Sequence, residues 1–133
     1  MTATAGIPQP GIVLIVDDEE MIRELARTVL EAAGLRVLGE AADGVQALEH
    51  YRAADPPSEP NVVLLDNRMP GPSGLEVAAE MLADHPSQIV VLFSAHLDSA
   101  VETEAARLGI AACVPKQQVT KLPAIIGGLL SNA

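Results

Sequence analysis

The sequence predicts an α/β fold in which a parallel sheet is covered by helices on both faces. Three observations predict it. Five short apolar runs alternate strictly with five stretches whose apolar residues recur at helical spacing. Apart from the second, Leu35 to Ala41, the runs are continuous rather than alternating with polar residues, as strands buried on both faces require. Acidic residues follow two of them: Asp17 and Asp18 after Ile12-Val13-Leu14-Ile15-Val16, and Asp66 after Val62-Val63-Leu64-Leu65. Ligands of open α/β sheets gather at the carboxyl ends of strands, so the same pattern marks where a site belongs.

Residues 1–10 are small, polar and twice interrupted by proline, and read as a flexible N-terminal arm. The remainder, 11–133, has the length of one domain with a real core. After the first strand, Ile22, Leu25, Ala26, Val29, Leu30 and Ala33 form a helical stripe, and Gly34 stops that helix. Leu35 to Ala41 is the second strand. Asp43 caps the second helix, with Val45, Ala47, Leu48 and Tyr51 on its inner side. The segment Asp55-Pro56-Pro57-Ser58-Glu59-Pro60 continues neither element and reads as a surface loop. Val62 to Leu65 is the third strand, and Met69 to Gly74 is a loop beside Asp66.

The third helix runs from about Leu75 to Ala83 with Leu75, Ala78, Met81 and Leu82 inward. Ile89 to Phe93 is the fourth strand. Ser99 followed by Glu102 reads as a capping box opening the fourth helix, which ends near Gly109. Ala111 to Val114 is a short fifth strand, and Pro115 at its end suits a sheet edge. Leu122, Ile125, Ile126, Leu129 and Leu130 stripe the last helix, where Gly127 and Gly128 each cost about 1 kcal/mol against alanine. The methionines read as core packing. Right-handed crossovers then place the first strand centrally with the third beside it.

Composition narrows the function classes. Hydrophobic residues make up 49% but aromatics only 2%, so aliphatic side chains must fill the core. Eighteen acidic against eight basic residues give −10, which argues against contact with nucleic acid phosphates and suits recruitment of cations. A single cysteine, Cys113, leaves no internal disulfide and fits a reducing compartment. Met1 to Gly11 lacks the positive and apolar regions of a signal peptide. No apolar run approaches the roughly 18 residues of a membrane helix. A cytoplasmic location without a membrane partner is the expectation.

If the first and third strands are neighbours, Asp17, Asp18 and Asp66 converge. Close like charges raise one another's pKa and cost free energy unless a cation joins them. Three carboxylates suit Mg²⁺, a hard ion that takes oxygen ligands. Ser94 follows the fourth strand and Lys116 the fifth. An ammonium suits one phosphoryl oxygen, and a hydroxyl can donate a hydrogen bond to another. These are the parts that stabilise charge on a transferring phosphoryl group, with Asp66 as the nucleophile that becomes an aspartyl phosphate.

Each residue alone has a plainer reading. Asp18 serves equally as a helix N-cap, Asp66 with Asn67 as a turn, Ser94 as a strand-end hydroxyl with a local bond, and Lys116 as a solvated charge. Their agreement favours the site. His50, His85 and His96 show no metal-ligand spacing; His96, two residues after Ser94, is placed to tune access to the site or the lifetime of its product. Cys113 reads as a buried apolar filler.

Asp17-Asp18 after the first strand, Asp66-x-x-Met69-Pro70-Gly71 after the third, Ser94-Ala95 after the fourth and Lys116 after the fifth resemble the receiver domain of two-component response regulators. The resemblance runs from roughly Gly11 to Leu130. It implies a flavodoxin-like (βα)5 three-layer sandwich with a five-stranded parallel sheet in the order 2-1-3-4-5. It also implies a signalling phosphoacceptor rather than an enzyme, with slow self-dephosphorylation. The donor would be a histidine kinase or phosphotransfer protein. Asp18, Asp66 and the main-chain oxygen of Arg68 would ligate Mg²⁺ directly, and Asp17 through a metal-bound water. Ser94 matches the switch hydroxyl and Lys116 the phosphate-contacting lysine. Output would be docking of a downstream protein on the face of the fourth helix, fifth strand and fifth helix, and a homodimer stays open.

The chain departs from that pattern in three places. Gln117 stands where the family often has proline, and a cis bond before a non-proline residue costs about 2.5–4 kcal/mol. Cys113 stands where many members carry a switch tyrosine or phenylalanine, so ring rotation cannot be the read-out. Nothing follows the last helix, and a stand-alone, single-domain type is the expectation. Two rivals remain. A degenerate receiver acting as a docking scaffold draws on Cys113 and Gln117. An aspartyl-phosphate phosphohydrolase usually has an Asp-x-Asp motif, whereas Asp17 is followed at once by Asp18 and Glu19.

Overall fold

Aliphatic runs with little polar interruption build the centre of the molecule. The computed structural model describes residues 11–53 and 60–132. The elements are β1 (Ile12–Val16), α1 (Glu20–Ala32), β2 (Arg36–Ala41), α2 (Gly44–Ala53), β3 (Val62–Leu65), α3 (Gly74–Asp84), β4 (Ile89–Ser94), α4 (Ser99–Leu108), β5 (Ala112–Pro115) and α5 (Leu122–Ser131). A 3₁₀ stretch, Lys116–Lys121, leads into α5. All strand pairs are parallel, in the order β2-β1-β3-β4-β5, so the flavodoxin-like arrangement holds. Val16 pairs with Leu65, Leu65 with Leu92, and Ser94 with Pro115. That register brings residues at the carboxyl ends of four different strands to one edge of the sheet.

Side chains of a strand alternate between faces, and both faces here are covered. Leu14, Val16, Val63, Leu65, Val90 and Leu92 pack against Ala47, Leu48, Val77, Ala78, Met81 and Ala105 of α2, α3 and α4. Val13, Ile15, Val62, Leu64, Val91 and Phe93 pack against Ala26, Leu30, Leu122 and Ile126 of α1 and α5. Burial on both sides is why β1, β3 and β4 read as unbroken apolar runs, whereas the edge strand β2 carries Arg36 and Glu40. Pro115 sits on the edge strand β5, where a missing N–H breaks no ladder. Gly109 ends α4 at φ 95°, a left-handed conformation that glycine adopts without a Cβ clash.

Several local expectations need correction. Val45 is 57% exposed because the buried Gly44 takes the inward position, against Val77 and Pro72. Leu25 is 45% exposed and Ala33 is exposed, so the apolar stripe of α1 is wider than the face it buries through Ala26 and Leu30. Met21 is 81% exposed, so not every methionine is core. The cap of α4 is Asp98, whose side chain accepts from Val101 N at 2.9 Å, rather than Ser99. A capping box does occur, at Ser73 and Glu76 of α3, with Ser73 inside the stretch read as loop. Asp43 caps α2 as expected, accepting from Gln46 N at 2.8 Å. The expected N-terminal arm and most of the proline-rich loop lie outside the described residues; Pro60 is buried. Among the described residues no helix is long and apolar enough to cross a membrane.

Candidate functional site

The sheet ladder runs one residue beyond the strands and pins two acids by their backbones. Asp17 N donates to Ala41 O at 3.0 Å, and Asp66 N donates to Val16 O at 2.9 Å. Asp17, Asp66 and Ser94 are the buried polar side chains among the described residues. Asp17 Oδ1 accepts from Glu19 N at 2.9 Å and so ties the turn into α1. Glu19 is the N-cap residue of α1 without a side-chain cap bond, and Asp18 is exposed beside it. The plain reading of Asp18 as a cap therefore finds no support.

Lys116 reaches into this acidic corner from the end of β5. Its Nζ lies 2.8 Å from Asp17 Oδ2, 3.2 Å from Glu19 Oε1 and 3.5 Å from Asp66 Oδ2. Asp17 Oδ2 is buried and has that ammonium as its partner. Burial, and next the Asp17 charge, push the Asp66 carboxyl up to about 6, against the pull of Lys116 and of the Arg68 backbone N–H. Burial works against the Lys116 ammonium, yet Asp17, Asp66 and Glu19 outweigh it and raise its pKa.

A cavity of about 230 Å³ opens here, lined by Asp18, Glu19, Asp66, Arg68, Ser94, Ala95, His96 and Lys116. Ser94 Oγ accepts from His96 N at 3.3 Å, the local bond of its plain reading, and leaves its own proton free to donate. Asp17, Asp18 and Glu19 each offer a carboxylate oxygen, all within 4.8 Å of one another. Hard oxygen donors this close, with the Asp66 carboxylate facing the same cavity, fit a small divalent cation such as Mg²⁺. The tight trio contains Glu19 in place of the Asp66 expected from sequence, although Asp66 faces the same cavity.

A family model described as the response regulator receiver domain matches residues 13–126. The chain belongs to that family. The receiver is 35% identical over 108 residues to a protein-glutamate methylesterase/protein-glutamine glutaminase of Hahella chejuensis, covering 80% of this chain and 30% of that one. It is 32% identical over 97 residues to the chemotaxis protein CheY of Thermotoga maritima, covering 73% of this chain and 78% of that protein. The solved receiver domain of the response regulator NarL from Mycobacterium tuberculosis superposes with a TM-score of 0.77 at 35% identity, covering 90% of this chain and 99% of that one. The chain spans less than half the length of several curated relatives, so their whole-protein activities do not carry over.

Other residues support the receiver's site or stand apart from it. Arg23 Nη1 donates to Asp17 O at 2.7 Å while its Nε donates to Glu40 Oε1 at 3.0 Å, clamping the acidic turn to β2. Asn67 Oδ1 accepts from Leu75 N at 3.1 Å, and Gly74 packs so closely that a Cβ there would collide with Asp66 O. Sequence alone gives Glu19, Arg23, Asn67 and Gly74 no role in the site; a third acid after the pair and a glycine opening a helix are the signals available for two of them. Cys113 is half-buried against the core, and burial, then Glu102, pushes its thiol pKa up, as an inert filler behaves. His96 lines the cavity, whereas His85 stacks edge-on against Tyr51 at 5.5 Å and His50 lies exposed on α2.

Proposed function

We propose that this receiver accepts a phosphoryl group from a histidine kinase or phosphotransfer protein onto Asp66. One observation carries the reading: the Lys116 ammonium lies between buried Asp17 and Asp66 beside an acid-lined cavity. An Asp66 carboxylate oxygen forms the new bond to phosphorus, and the donor's phosphorus–nitrogen bond breaks with its electron pair left on the imidazole. Lys116 stabilises charge on one phosphoryl oxygen, and Ser94 Oγ donates to another. Mg²⁺, when bound, would neutralise further charge, with Asp18, Asp66 and the Arg68 main-chain oxygen as direct ligands and Asp17 acting through water.

Receivers are signalling phosphoacceptors, and the output proposed here is reversible docking of a partner protein on the α4–β5–α5 face. Phosphorylation draws Ser94 inward and biases that face, by no more than its differential affinity for the two states. With Cys113 in place of an aromatic ring, the coupling runs through backbone and helix shifts. A stand-alone cytoplasmic form belongs to the same proposal, and the mass and location of the native protein test it.

Incubation with acetyl phosphate and Mg²⁺ tests the acceptor. One phosphoryl group on the wild-type chain, none after chelation and none in Asp66→Ala are expected. An unmodified wild type, or modification that persists in Asp66→Ala, contradicts the proposal. Cys113 also favours a second reading, a docking scaffold insensitive to phosphorylation. Partner affinity unchanged by a phosphorylated Asp66 would support that reading instead.

A further inference from the structure

Glu19 has no role in the reading above, yet its Oε1 accepts a hydrogen bond from Lys116 Nζ at 3.2 Å. The ammonium is thus divided among three carboxylates, and only two of them are buried. The Glu19 side chain is 63% exposed and stands at the cavity rim. Asp17 and Asp66 are pinned by the sheet ladder, whereas Glu19 can turn away without rebuilding a strand end. Every phosphodonor is itself negative and must reach Asp66 past this rim. Repulsion there grows with the charge of the donor.

We infer that Glu19 sets the donor selectivity of the site, holding Lys116 toward the rim and opposing small, multiply charged phosphodonors. It is a positioning residue, acting through Lys116 and through its own charge. The inference rests on the phosphoacceptor reading of Asp66. A phosphoryl group presented on a protonated imidazole carries one negative charge fewer than a free dianion and meets less of this barrier.

The test compares acetyl phosphate, a dianion at neutral pH, with phosphoramidate, which carries one negative charge fewer because its nitrogen is protonated. In both reactions Asp66 oxygen bonds to phosphorus. Acetate leaves with the electron pair of the broken P–O bond, or ammonia leaves with that of the P–N bond. Rates are measured on the full chain at saturating Mg²⁺ for wild type, Glu19→Gln and Glu19→Lys. The ratio of acetyl phosphate to phosphoramidate rates is expected to rise about twofold in Glu19→Gln and further in Glu19→Lys, with both gains shrinking at high salt. A purely structural role would not track donor charge. A ratio equal in all three proteins, with the wild type labelled, overturns this inference alone. A wild type labelled by neither donor overturns the phosphoacceptor reading and the inference with it.

Discussion

Asp66 combines burial with two neighbouring acids, and its carboxyl is pushed up to about 6 from an ordinary 3.8. The folded chain therefore holds that proton more tightly than the unfolded chain. Below about pH 4 the group is neutral in both states and imposes no penalty; above about pH 6 it is charged in both, and the folded state bears the desolvation. In EDTA, Asp66→Asn should raise unfolding free energy by about 2–3 kcal/mol at pH 7.5, with the gain vanishing near pH 4. Urea melts at the two pH values check it, and a gain independent of pH would contradict this electrostatic origin. Asp17, Asp18, Asp66, Ser94 and Lys116 were legible in the sequence because each follows a strand, and strand ends of a parallel sheet share an edge. Glu19 was not, because its partner lies 97 residues away and an exposed glutamate reads as an ordinary surface charge.

Helix ends show where local sequence signals compete. Ser99 and Glu102 have capping-box spacing, yet Asp98 one residue earlier takes the cap, since its carboxylate reaches Val101 N at 2.9 Å. The box that does form, Ser73 with Glu76, follows Pro70-Gly71-Pro72, whose turn chemistry masks the helix start. Inward faces were misjudged at Leu25 and Val45 because periodicity gives a stripe but not the width of the wall it meets. Two glycines make opposite predictions. At Gly128 on α5 an added methyl group would meet nothing within 4 Å, so Gly128→Ala should stabilise by about 0.5–1 kcal/mol. Gly74→Ala would drive its Cβ into the Asp66 carbonyl, so it should destabilise the chain and slow Asp66 modification together. Thermal melts of both variants check the pair; matching shifts would contradict the steric account.

For the molecule as a whole, strict alternation of strand and helix was enough to expect a parallel sheet, and the family resemblance supplied its order, which is the one observed. The division of the core between two helical layers could not be read from the runs, because strands buried on both faces carry no polar side to orient them. A charge of −10 concentrated partly at one sheet edge gives the site its demand for cations, met among the described residues by Lys116 from the far end of the chain. The central claim is that Asp66 receives the phosphoryl group inside that corner. A crystal structure with Mg²⁺ and beryllofluoride, a mimic of the phosphoryl group, tests it most directly. The account predicts beryllium bonded to an Asp66 carboxylate oxygen, Mg²⁺ on Asp18, Asp66 and the Arg68 main-chain oxygen, and fluorines facing Lys116 Nζ and Ser94 Oγ. Beryllofluoride bound elsewhere, or Mg²⁺ held by Asp17, Asp18 and Glu19 with Asp66 left out, would contradict it.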